Sequence, residues 1–363
     1  MNPSNFFFRH FAFRYLATAA RIFVIVMLLA FMVDFFEFSR LAGAASGYSL
    51  LRGLTLTTLK MPATMAAIMP FVAQFAVLGL LAAAAKHSEI VILRSIGVSP
   101  FEFVVPLCCV GLFFGFVVVL GLDPFAARAA PLVRSLESQV WGKVAPDPAN
   151  APVWITSQSD DGLVVMGAQS QTDFGHELVD VTYLQFSTSG ALLERIDARA
   201  ATIEQGQVKF LDALRISVGE AAPDRVGSLT VAVDVSTEAL RNRFVSAQEA
   251  SLFDIRKMIG YAIITGDSTR ALETRLWSLL FLPLLIVGMV LLSVPMAIRF
   301  ERGGAASSMF GVSVLIGFAV YTINVFTTAL SNSGRIWPVV AAAATPILTV
   351  SAGLLWLLIE EDG

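Results

Sequence analysis

Lys86-His87-Ser88-Glu89-Ile90-Val91-Ile92-Leu93-Arg94-Ser95-Ile96-Gly97 separates two long apolar runs, 61–85 and 103–122, and neither run contains a charged residue. The interval is too short for a domain and too regular for a bare turn. Ile90, Leu93 and Ile96 recur at three-residue spacing with Val91 and Arg94 beside them, and Glu89 falls on another side. That spacing predicts a short amphipathic helix near 86–97. Gly97 supplies a helix stop, and Pro100 suits the start of the next helix. A short helix between two membrane spans is either a plain connector or a handle that a soluble partner grips. The stretch alone leaves both readings open.

The composition around it sets the class. The 363 residues are 56% hydrophobic and 15% charged, with a mean hydropathy of +0.73. A soluble domain carries about a quarter charged residues, so the class expected is an α-helical polytopic membrane protein. The net charge of −3 argues against a nucleic-acid partner, which needs a basic surface. Cys108 and Cys109 are adjacent within an apolar run and cannot staple distant segments. The first apolar run is too long for the core of a signal peptide, and no small-x-small cleavage site follows it, so no cleavable signal is expected.

Working outward, six segments are long enough to cross a bilayer core: 15–38, 56–85, 101–123, 274–298, 306–330 and 336–359. The plan is three spans, a polar insert and three spans. Residues 1–123 hold the first three spans with the handle, 124–270 the insert with its flanks, and 271–363 the last three. With the N-terminus inside, inner segments hold Arg9, Arg14, Lys86, Arg94, Arg299 and Arg302, against Arg40, Arg52 and Arg335 in short outer loops. The positive-inside bias then puts both termini and the handle in the cytoplasm, and the insert in the periplasm of a bacterium.

The insert reads as β. Val153 to Ile155, Leu163 to Met166, Val181 to Phe186 and Leu192 to Arg199 are separated by turn residues such as Asp161-Gly162 and Ser189-Gly190. Leu214, Ile216 and Val218 alternate with polar residues, as do Val231, Val233 and Val235. Short strands at regular spacing predict a sandwich or open roll, with Phe186 and Ile216 among the inward positions. Residues 251–264 predict a helix with Leu252, Ile255, Ile259 and Ile263 on one face, riding the membrane surface before the fourth span. In the spans, Pro62, Pro70, Pro283 and Pro295 predict bends, and Asn324 is placed to hydrogen-bond across helices. Asp34, Glu37 and Arg40 end the first span. They read either as a wet helix end or as the mouth of a path for a polar-headed ligand.

Some chemistry is missing from the sequence. There is no Gly-x-x-x-x-Gly-Lys-Ser/Thr loop, no Gly-x-Ser-x-Gly elbow and no zinc-ligand spacing among His10, His87 and His176. No catalytic residue, metal site or cofactor is therefore expected. A membrane protein with no engine of its own and a cytoplasmic helix between two spans reads as the permease half of a pump driven by a separate ATPase.

The motifs that carry a resemblance lie in order along the chain. They are Pro70-Phe71, Leu78-Gly79, His87-Ser88-Glu89-Ile90-Val91 and Ile96-Gly97, then Asp197-Ala198-Arg199-Ala200-Ala201, Leu276-Trp277-Ser278 with Pro283, Gly317-Phe318 with Tyr321, and Pro338 with Pro346. Together they resemble the LptF/LptG permease family of bacterial lipopolysaccharide export, and the short C-terminus resembles LptG more than LptF. The resemblance implies six spans with an inserted periplasmic β-jellyroll. It implies a sister permease, an LptB ATPase dimer, LptC, the periplasmic protein LptA and lipopolysaccharide as substrate, in the bacterial inner membrane. By position Glu89 corresponds to the carboxylate that sits against the ATPase, with Ser88 and Arg94 supporting it. That task fits a salt bridge to an arginine in a groove. The paired first and fifth spans form gates to an outward-facing cavity, which assigns Asp34, Phe35, Phe38, Arg40, Phe318 and Tyr321 to the cavity or its gate. One departure stands out: family members often place several basic residues where this chain has Asp34 and Glu37. Either the lipid carries less phosphate or the sister permease provides the charge. Two rival functions are a permease for another lipid or lipoprotein, and a membrane scaffold whose β domain binds a partner without transport.

Overall fold

Apolar length decides the helices, and in the computed structural model six of them are long and apolar enough to cross a membrane. The structure describes residues 3–43, 49–87, 89, 92, 95, 100–141, 153–159, 162–172, 177–187, 190–204, 207–217, 224–232, 247, 250–265, 268–301 and 306–362. The first half holds α1 (Pro3–Ala42), α2 (Leu50–Lys86) and α3 (Pro100–Val117). A π-helical segment, Val118–Leu122, then runs without a break into α4 (Asp123–Trp141). The second half holds α5 (Leu252–Thr265), α6 (Arg270–Glu301), α7 (Ala306–Asn332) and α8 (Pro338–Asp362). Every span predicted from the sequence falls within these continuous helical stretches, apart from the first residues of the last, but several helices run further. At 1.5 Å per residue α1 is about 60 Å long, twice the roughly 30 Å hydrocarbon core.

The excess has a use. Beyond Asp34, Phe38 and Ala42 of α1 pack with Leu56 of α2 and with Leu136 and Val140 of α4. Lys60 on α2 reaches Glu137 on α4 at 2.5 Å. A three-helix stalk therefore leads from the spans to the chain segment that enters the β insert. Helix α4 is a correction to the all-β reading of the region after residue 123. Its apolar side, Leu132, Val133, Leu136 and Val140, was readable at helical spacing, but the charged residues between them disguise it as a polar linker.

The helix core is assembled around α2 and α6, each packed against several partners. Small residues permit the closest approaches. A Cβ on Gly115 of α3 would collide with Pro283 Cα of α6, and one on Gly353 of α8 would lie 2.7 Å from Leu291 Cβ. In an apolar solvent such close backbone packing replaces the hydrophobic drive. Helices α2 and α6 remain continuous through Pro62, Pro70, Pro283 and Pro295. Helix α5, capped by Ser251, whose hydroxyl lies 3.3 Å from the Asp254 N–H, packs Ile255, Met258 and Ala262 on Leu272, Leu276 and Leu279 of α6.

The insert expected from the sequence is an antiparallel sheet of six strands in chain order: β1 (Val153–Ser159), β2 (Gly162–Thr172), β3 (Glu177–Phe186), β4 (Leu192–Glu204), β5 (Gln207–Ser217) and β6 (Asp224–Ala232). One face buries Val164, Met166, Val181, Tyr183, Ile196, Ala198, Val208, Phe210 and Ala213. Burial pushes the Tyr183 hydroxyl above the usual tyrosine range, and the Glu194 charge adds to this. The sheet also carries a crease. At Gln169, Asp180, Arg199, Asp212 and Gly227 the ladder skips one opposed pair on each successive strand boundary. Asp180 and Asp212 take φ of 51° and 53° there, a left-handed conformation that aspartate tolerates better than most residues. Across the crease the buried positions shift parity, from Val208 and Phe210 to Ala213 on β5. Ile216, expected inward, is consequently 39% exposed, because a one-residue shift turns each later side chain to the other face.

Candidate coupling and gate sites

On the handle, Glu89, Ile92 and Ser95 are helical, and the Ser95 hydroxyl donates to the Ile92 carbonyl at 2.8 Å. Ser88 and Arg94, assigned with Glu89 to coupling, lie outside the described residues. Glu89 is half-buried and has a partner the sequence reading did not anticipate. Arg14 Nη1 of α1 donates to Glu89 Oε2 at 2.5 Å. The same Arg14 nitrogen lies 3.4 Å from His10 Nε2, one helical turn earlier. The adjoining face of α1 is anchored. Phe11 packs on Phe103, Tyr15 on Phe114, and the buried Tyr15 hydroxyl donates to the Ala73 carbonyl of α2 at 3.1 Å. Arg14 is thus held on a fixed piece of helix while its guanidinium reaches the handle.

The residues assigned to the cavity or its gate fall into two separate groups. On α1, Asp34 and Phe35 are half-buried, Phe35 stacks on Phe31, and Arg40 is exposed. Phe38 is turned into the stalk, 9% exposed against Leu56 and Val140, where it packs helices together. On α7, Phe318 and Tyr321 are exposed, and the Tyr321 ring lies 6.3 Å from that of Phe71 on α2. Helix α1 leans on α2, whereas α7 packs chiefly on α6 and α8 and touches α2, and the two are not packed closely on one another. Within one chain the two groups are not brought together.

Polar groups absent from the sequence reading fasten these helices. Gln74 of α2 is fully buried, and its amide nitrogen donates to the Ser313 carbonyl at 3.0 Å and to the Ser313 hydroxyl at 2.8 Å on α7. Its Oε1 has no partner among the described residues and faces Gly317, where an added Cβ would come within 2.8 Å. Thr274 of α6 meets Ser331 of α7 at 2.7 Å. These two contacts take the cross-helix role expected of Asn324, whose side chain has no such bond among the described residues. Directly after the π segment, Asp123 is 4% exposed and accepts from Arg275 Nη2 of α6, beside the Leu252 backbone N–H at the start of α5. One carboxylate therefore joins the helix that leaves the spans to the two helices by which the chain returns. A charge at the end of an apolar run was visible in the sequence, but its partner lies 152 residues away.

A comparison with curated proteins finds no match. The family model described as lipopolysaccharide export system permease LptF/LptG matches residues 9–360, which spans both halves of the helix core, the handle and the β insert without distinguishing LptG from LptF. With a match over nearly its whole length, the chain belongs to the LptF/LptG family of lipopolysaccharide export permeases.

Proposed function

We propose that this chain is one of two sister permeases that, driven by a separate ATPase, extract lipopolysaccharide from the bacterial inner membrane and pass it to a periplasmic bridge. The observation that carries this reading is the family match over residues 9–360. The geometry supports it at three places. The outer faces of α1 and α7 are left bare, including Val24, Ile25, Leu28 and Met32 on one and Leu315, Phe318 and Phe326 on the other. A sister permease covering both would complete a cavity between Asp34, Phe35 and Arg40 and the α7 pair Phe318 and Tyr321. The handle around Glu89 has an exposed apolar residue, Ile92, and a carboxylate for an ATPase cation. Ser88 and Arg94 belong to the same docking segment.

In this reading 1–123 and 271–363 form the membrane part and 124–270 the periplasmic part, with both termini in the cytoplasm. LptC and LptA receive the lipid from the β insert. Asp34 and Glu37 repel lipid phosphates, so the cations for the headgroup come from Arg40 and from the sister chain. The test is ATP-dependent release of lipopolysaccharide from proteoliposomes holding this chain, its sister permease and the ATPase, with LptC present and LptA as acceptor. Release that requires ATP and this chain is expected. Release of other lipids or lipoproteins in its place, or none, would overturn the reading.

A further inference from the structure

The Arg14–Glu89 pair joins two parts of the chain that are 75 residues apart. Both side chains are about a third exposed, 28% and 34%, so the contact sits at a wet boundary where its role in stability is small. Its geometry is more informative. Arg14 takes one oxygen of Glu89, Oε2, and Oε1 has no partner among the described residues. A carboxylate can accept from two cations at once. Arg14 is itself steered, between His10 on one turn and the anchored residues Phe11 and Tyr15 beside it. The arginine therefore limits the rotamers of Glu89 and leaves its second oxygen available to another cation.

We propose that Arg14 is a positioning residue for coupling: it holds Glu89 in the orientation that meets the ATPase and links that contact to the first span. The inference rests on the coupling reading of Glu89 given above. Helix α1 suits the second part of the role. Beyond Phe11, Tyr15 and Ala19, its next buried side chain is Phe38. Its side chains between Ala19 and Phe38 are exposed or half-buried, so a displacement received at Arg14 can pass along the span.

The test is a double-mutant cycle on Arg14 and Glu89 in the full complex, reading lipid released per ATP hydrolysed and the amount of copurified ATPase. Arg14→Ala should lower coupled release about fivefold, the scale of a part-exposed ion pair, and Arg14→Lys should restore most of it. In a Glu89→Ala background, Arg14→Ala should cause no further loss, because a residue acting through another has no effect once that one is gone. A purely structural role for Arg14 predicts lower thermal stability with unchanged release per ATP. That result would overturn the proposal, and so would equal losses from Arg14→Ala in both backgrounds. If Glu89→Ala itself leaves release intact, the coupling reading of Glu89 fails, and this inference with it. If Glu89→Ala abolishes release while Arg14→Ala does nothing, only this inference fails.

Discussion

Asp123 illustrates what a single ionised side chain costs and does in this protein. At 4% exposure its charge would be costly without the Arg275 guanidinium that meets it. Its second oxygen has no partner among the described residues, and neither has Arg275 Nε. The arrangement is therefore sensitive to losing one member. Arg275→Ala should destabilise the purified protein by roughly 3 kcal/mol, the lower end for a broken buried pair because Arg275 is a third exposed. Adding Asp123→Asn should recover part of that loss by removing the stranded charge. Denaturant or thermal unfolding in detergent measures both, and a double variant no more stable than Arg275→Ala would contradict the account. Gln74 is different in kind. It is neutral and already bonded to Ser313, and interhelical hydrogen bonds in membranes average only about 0.6 kcal/mol. Its contribution is to set where α7 lies against α2 more than how tightly.

At the scale of elements, the β insert is shaped by one line of residues. Along the crease from Gln169 to Gly227 one opposed pair is skipped at each of four strand boundaries with no change of register, and the buried positions change parity on β3, β4 and β5. Asp212, at φ 53°, is where β5 makes that change. A β-branched residue in this conformation is strained, so Asp212→Val should lower the stability of the insert by about 1–2 kcal/mol. Asp212→Gly, free to adopt positive φ, should be neutral or slightly stabilising. Hydrogen exchange of the β5 amides in the full chain distinguishes the two, and equal protection in both variants would rule the crease out as a strained position. The helices show a related economy. The π segment inserts its extra residue just before Asp123, which rotates the helix so that the carboxylate meets α5 and α6, and π turns often stand beside such functional positions.

For the whole molecule, the uneven burial of the spans is the main feature. Helices α2 and α6 are enclosed, whereas the apolar windows of α1 and α7 are largely open. Leu28 is 56% exposed and Phe318 64% exposed. In the complex proposed here these faces meet the sister permease. Leu28→Cys and Phe318→Cys should each crosslink to cysteines placed on the sister chain's first and fifth spans. The double variant should not form an efficient crosslink within its own chain. Gel mobility under non-reducing conditions reports this, and efficient crosslinking within one chain would mean that α1 and α7 close on each other instead.

The amino-acid sequence by itself determined the class, the six spans, the β character of the insert and a helix over 251–264, which the structure places at Leu252–Thr265. Each of these depends on local periodicity: long uncharged runs for the spans, alternation for strands, and three- to four-residue spacing for the amphipathic helix. The order of the motifs from Pro70 to Pro346 also carried the family, which the match over residues 9–360 bears out. Glu89 was legible as a candidate because a carboxylate on a short polar helix between two spans is conspicuous. Its partner Arg14 was not, since nothing local connects residues 75 apart. The same holds for Asp123 with Arg275 and for Gln74 with Ser313. Tertiary structure alone decided that Phe38 packs into the stalk and that Ile216 turns outward. The reason in each case is that burial depends on which helices cross, and sheet parity on a crease through Asp180 and Asp212, and neither leaves a periodic trace in the sequence.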